Sequence, residues 1–198
     1  MPSPIVHSLV GWVIARTARG ARAATGRRPA PTILAGVLIA ASNAPDLDFI
    51  PGLIVGEFGR FHRGATHSLL AASIIGLVVA WLATRLGWES PQRLGFLAGL
   101  AATTHVMLDM LSIDQAYRHG AEVFWPLYRD GVAFPLTVFV DLTHDPTAPT
   151  FAQAVLHRHN AFVFVRETII IAAAVATARI VSWMLARQRR RAADGSAG

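Results

Sequence analysis

The chain contains no cysteine. That excludes disulfides and thiolate metal sites, and leaves imidazole and carboxylate groups as the strong metal-ligating side chains. It contains no lysine either; all 18 basic residues are arginine. Charged side chains are scarce, at 15% of 198 residues, where a soluble domain usually carries about 25%. Hydrophobic residues reach 53% and the mean hydropathy is +0.43. Much of the surface must then face something other than water. The N-terminus lacks a charged region followed by a cleavage site, so no removable signal peptide is expected. There is no G-x-S-x-G elbow, which argues against a serine hydrolase. Ser68 does adjoin His67, but neighbouring helix positions point in different directions. The absence of a Walker-type loop argues against nucleotide-driven chemistry. With no linker and no internal repeat, the length fits one domain.

What is present is a set of five apolar segments: Ile5 to Ala15, Thr32 to Ala44, His67 to Trp88, Leu94 to Ile113 and Ala161 to Ala186. A membrane-spanning helix needs roughly 20 mostly apolar residues. The last three reach that length; the first two fall short and could be re-entrant or interfacial. The third is apolar on every face, unlike the striped helix of a soluble bundle. The fold expected is all-α: a polytopic membrane helical bundle with about five apolar helices. A single membrane-embedded domain would cover residues 1–186, and a disordered basic tail residues 187–198.

Arginine is unevenly placed, with five in Arg16 to Arg28 and four in Arg187 to Arg191. These clusters flank apolar runs instead of forming a folded basic face, so membrane topology explains them and no nucleic-acid partner is expected. If all five segments span, both clusters fall on the cytoplasmic side, together with the turn carrying Arg85 and Arg93. The N-terminus, the loop Pro45 to Thr66 and the long loop Asp114 to Asn160 then face outward. The long loop carries Asp145-Pro146 and Ala148-Pro149, which disfavour extended regular structure.

That topology, drawn from apolar runs and arginine alone, brings the chemistry-bearing residues to one face. Asp46 and Asp48 sit where the second segment ends, His62, Arg63 and His67 where the third begins, His105 and Asp109 in the outer half of the fourth, and His7 near the outer start of the first. His105-x-x-x-Asp109 is an i, i+4 pair, which places both side chains on one helix face. Imidazole and carboxylate ligands suit a divalent ion, most naturally Zn, with Mn or Fe as alternatives. Each piece also has a plainer reading. The His105/Asp109 pair could be a simple hydrogen bond, Asp48 a cap, Thr66 and Ser68 caps of the third helix, and Trp125 an interfacial anchor or a residue lining substrate access. Their joint occurrence on one side favours the metal reading.

His7, Pro45-Asp46-Leu47-Asp48, His62-Arg63-Gly64-x-Thr66-His67-Ser68, His105-x-x-x-Asp109 and Trp125-Pro126 together resemble the YdjM-type family, over roughly residues 1–130. That resemblance implies a LexA-binding, inner-membrane-associated, metal-dependent hydrolase. The family is in turn distantly similar to zinc-dependent phospholipase C and single-strand nucleases. By that similarity Asp46 or Asp48, His62 or His67, His105 and Asp109 would be metal ligands, with His7 near a second metal. The phospholipases carry a later H-x-x-x-E element that is missing here. His119, His144, His157 and His159 have no carboxylate four residues on, so one or two metals are expected instead of three.

The expectation is a multi-pass protein of the bacterial inner membrane with a hydrolase site on the outer face. It would act with metal-activated water on a phosphoester, with a lipid-linked one such as a phospholipid among the candidates. His7, Asp46, His62, His67, His105 and Asp109 would hold metal. Asp48 would orient a ligand or act as base, and Arg63 would pair with phosphate. The lipid bilayer is the expected partner. A protein partner of the LexA kind would have to meet the cytoplasmic side. Two alternatives remain open: a non-catalytic membrane protein whose structural metal ties helix ends together and which acts through a protein partner, and a transporter using intramembrane His and Asp as a relay.

Overall fold

A computed structural model describes residues 2–18, 27–57, 60–112, 120–140 and 158–195. Each of the five apolar segments carries a helix over most of its described residues, and no strand occurs among the described residues. The chain divides into two units, Met1–Leu142 and Thr143–Gly198.

In the first unit, α1 (Pro4–Thr17), α2 (Pro31–Asn43) and α5 (Pro91–Asp109) each begin on a proline. Its missing N–H falls where a helix has no partner for one anyway. A 3-10 turn, Ala44–Asp48, follows α2 directly and leads into the short α3 (Phe49–Ile54). Pro45 explains the tightening, since it cannot donate to the carbonyl one turn back. Ser68 starts α4 (Leu69–Arg85) by accepting from the Ala71 N–H at 3.0 Å.

The helices pack through small residues. The core cluster is Ala15, Leu38, Ala41, Ala83, Leu94, Ala98 and Ala101. A Cβ on Gly76 would lie 2.7 Å from the Gly95 carbonyl, so α4 and α5 touch backbone to backbone. Large apolar residues point the other way: Leu77 is 69% exposed, Trp81 56% and Phe96 71%. Small inside and large outside inverts the water-soluble pattern. It is how helices associate in lipid, where close backbone approach, not burial of large side chains, drives packing.

Among the described residues, two stretches are long and apolar enough to cross a membrane, Pro31–Ile54 and Arg158–Val181. The second segment therefore gains length, because the 3-10 turn and α3 extend it to 24 residues. The third loses length, because the Ser68 cap leaves α4 with 17 residues. The fourth is long enough at 19 residues, but Arg93, Thr103, Thr104, His105 and Asp109 dilute its hydropathy.

Residues 120–140 form turns pinned by isolated backbone pairs, Ala121 with Val132 and Ser112 with Phe139. They also brace the preceding loop: the Glu122 N–H donates to the Arg63 carbonyl and the Leu69 N–H to the Val123 carbonyl, both at 3.0 Å. The expected long-loop positions Arg118, His119, His144 and His157 lie outside the described residues.

In the second unit, α6 (Arg158–Gly195) is one 38-residue helix. It continues through the arginine run at 187–191, where a disordered tail was expected. Arg, Gln and Ala are strong helix formers, and that local preference carries the helix on. Residues 196–198 lie outside the described set.

Candidate metal centre

α1 begins, α2 ends, α4 begins and α5 ends at the same end of the first unit. His7 therefore lies in the first turn of α1, Asp46 and Asp48 in the 3-10 turn after α2, His67 just before α4, and His105 and Asp109 in the last turns of α5. All but Asp46 are nearly fully buried, and the Asp46 side chain is 14% exposed.

Four of these residues converge. One ligand atom each from Asp46, His67, His105 and Asp109 lie within 4.8 Å of one another. The His67 and His105 Nε2 atoms are 3.2 Å apart. His67 Nε2 is 3.6 Å from Asp46 Oδ1 and 3.2 Å from Asp109 Oδ2. His105 Nε2 is 3.3 Å from Asp46 Oδ1 and 3.7 Å from Asp109 Oδ2. Ligands about 2.0–2.2 Å from a tetrahedral ion stand about 3.3–3.6 Å from each other. The five separations given, 3.2–3.7 Å, lie close to that edge length.

The tautomers are set from outside the centre. His105 Nδ1 lies 2.8 Å from the Ser42 carbonyl, which only accepts, so Nδ1 carries the proton and the Nε2 lone pair points inward. His67 Nδ1 lies 3.1 Å from Asp48 Oδ2, with the same result. A carboxylate or carbonyl behind the imidazole is how metal-binding histidines are ordinarily oriented. Burial disfavours a charged His67 imidazole, but the carboxylates of Asp109, Asp46 and Asp48 outweigh it and hold its pKa well above the usual value. The surroundings of this nitrogen thus favour positive charge, as a proton or as an ion.

Asp48 stands behind the centre. Its two oxygens receive Thr66 Oγ1 at 2.7 Å, His67 Nδ1 at 3.1 Å and His62 Nδ1 at 3.2 Å. Of the two helix-capping candidates, Ser68 is the cap, while Thr66 holds Asp48. His62 turns its Nδ1 to Asp48, 3.9 Å from Asp46, and stacks on Phe49. It lies beside the four-atom set and belongs to a second possible ion-holding group with Asp48 and His67. His7 also lies alongside: it stacks on His105 at 3.7 Å and faces the other oxygen of Asp109 at 3.6 Å.

Among the described residues Arg63 is the largest fully buried side chain. Its backbone takes a left-handed φ of 62°, rare for a non-glycine residue and typical of functional sites. Its Nη2 donates to Ser112 Oγ at 2.6 Å, and its Nε lies 3.9 Å from Asp109 Oδ2. Nε and Nη1 have no hydrogen-bond partner among the described residues. Trp125 is half-buried, next to exposed Phe124 and Leu127.

The residues present fit a divalent cation. Both oxygens of Asp46 and of Asp109 are buried without a hydrogen-bond partner among the described residues, a costly arrangement that a cation would relieve. Asp46, Asp48 and Asp109 with Arg63 leave two negative charges, which one divalent ion balances. Ser42, Ser112 and Phe49 were not singled out from the sequence. Ser42 acts through a backbone carbonyl, which every residue has, and Ser112 and Phe49 act through contacts distant in sequence.

The model of the YdjM inner membrane protein family matches residues 1–187. Comparison with curated proteins and with solved structures finds no match.

Proposed function

The chain belongs to the YdjM inner membrane protein family, and on that footing we propose that it is a metal-dependent hydrolase of phosphoesters. Asp46, His67, His105 and Asp109 hold the ion, with Zn the best fit to two imidazoles and two carboxylates and Mn or Fe the alternatives. A divalent ion there polarises a phosphoryl oxygen and lowers the pKa of water toward 7. Asp48 orients His67 and His62; with three donors already on its oxygens it is a positioning group, not a free base. His7 and His62 flank the centre, where a second ion would engage Asp109 Oδ1 or the Asp48 pair. The carrying observation is Arg63: a buried guanidinium whose Nε and Nη1 have no hydrogen-bond partner among the described residues, beside a candidate cation centre, is suited to receive an anion. The membrane topology that goes with this reading has the helices crossing several times and the centre at the outer face, opposite Arg16, Arg28, Arg85 and Arg93.

A second reading has one observation in its favour. Four protein ligands close a tetrahedral site, as structural metals prefer, whereas a catalytic metal keeps a position open. Metal analysis of purified protein together with a panel of phosphomonoesters and phosphodiesters separates the two. Metal-dependent turnover that disappears in Arg63→Ala with metal retained supports the hydrolase. A metal whose removal melts the protein, with no turnover of any phosphoester, leaves the structural reading standing.

A further inference from the structure

Two segments flank the His/Asp centre, and both expose apolar side chains. α3 follows directly on Asp46 and Asp48 and exposes Ile50, Leu53 and Ile54, the last to 79%. The 120–140 segment is tied to the centre through the carbonyl of Arg63 and the N–H of Leu69. It exposes Phe124, Tyr128 and Leu127, the last to 95%. Among the described residues, exposed charge follows these side chains in the Glu57–Arg60 pair at 3.1 Å and at Arg129 and Asp130. A loop standing in water would instead carry polar residues at its exposed positions. α3 is also the end of Pro31–Ile54, a stretch apolar enough to cross a membrane, so its exposed face continues a lipid-facing surface. Apolar and aromatic residues backed by arginine are what the membrane interface selects.

We infer that α3 and the Phe124–Tyr128 turn form a lip submerged in the bilayer interface, and that the centre takes its anionic ligand from an amphiphile in the lipid, a phosphoester carrying acyl chains. The lip stands on exposure and continuity alone; the ligand class rests on the hydrolase reading above.

The test uses the full chain reconstituted in lipid vesicles. With no native cysteine, Ile54→Cys and Leu127→Cys each give a single nitroxide site. Leu77→Cys on α4 serves as the lipid reference and Arg60→Cys as the headgroup reference. Oxygen should broaden the Ile54→Cys and Leu127→Cys spectra as it does Leu77→Cys, with nickel chelate broadening lost. Nickel broadening equal to or above that of Arg60→Cys overturns the lip. In a second arm, phosphatidate in the bilayer should be cleaved in preference to water-soluble p-nitrophenyl phosphate, and equal cleavage overturns the lipid route. Cleavage of neither defeats the hydrolase reading instead, while the nitroxides still decide the lip.

Discussion

The two ends of the first unit handle charge in opposite ways. Where α2 and α5 begin, Arg28 reaches Glu89 at 2.5 Å while remaining 48% exposed, and Arg93 donates to the Ala18 carbonyl at 2.9 Å. These are surface contacts near solvent, of the kind that contributes little to stability. Where α2 and α5 end, three carboxylates, four imidazoles and a guanidinium lie packed out of water. Several of their atoms lack a hydrogen-bond partner among the described residues. Burying such groups opposes folding unless a partner compensates them. The described contacts at the first end pair a charge with a neighbour at the surface, whereas the buried groups at the second could hold a metal ion.

The largest test of that contrast pairs Asp109→Ala with Glu89→Ala. Asp109 presents one oxygen to His67 and the other to His7, so its removal should drop bound metal to background by elemental analysis. Glu89→Ala should keep the wild-type content. Equal metal in both variants would erase the distinction between the ends. Asp48→Asn should leave the ligands in place but misorient His67. Its metal affinity, read by chelator competition, should fall roughly 10–100-fold. An unchanged affinity would remove Asp48 from the account.

Gly76→Leu probes the region between the ends. The backbone contact with Gly95 leaves no room for a side chain, and overpacking of this kind costs about 1–3 kcal/mol. The melting temperature should fall while the folded fraction keeps its metal affinity; an unaltered melting temperature would contradict the close packing. A pH series sharpens the electrostatic side. His67 has a raised pKa, and its proton competes with a cation for Nε2. Metal affinity should therefore weaken by up to about tenfold per pH unit below that raised value. In chelator-treated protein the sign reverses. Stability from the protonated His67 is fully present below the ordinary imidazole pKa and is lost as pH rises through the raised one. A pH-independent affinity would place the ion elsewhere. The smallest effect belongs to Arg28→Ala, whose half-exposed ion pair should contribute under about 1 kcal/mol in denaturant melts. A larger loss would mean that the arginine end is not the passive one.

The sequence alone determined which apolar runs carry helices and which residues share an end, though not where every helix stops. Apolar runs and arginine placement act over neighbouring residues, and strict alternation of helices along the chain then sends His7, Asp46, Asp48, His67, His105 and Asp109 to the same end. The spacing His105-x-x-x-Asp109 is local to one helix and was legible for that reason. Only the tertiary structure decided which atoms meet. The sequence reading assigns Asp46 to the metal and Asp48 to orienting a ligand or acting as base; the 3-10 turn points Asp46 into the four-atom set and Asp48 behind it onto His62 and His67. The same holds for Ser42 at His105, Ser112 at Arg63, and the lengthening of the second apolar segment at the expense of the third. Each depends on contacts between residues far apart in the chain or on a cap and a turn that shift a helix end, and residue type and spacing do not encode atomic distances of 3 to 4 Å across helices.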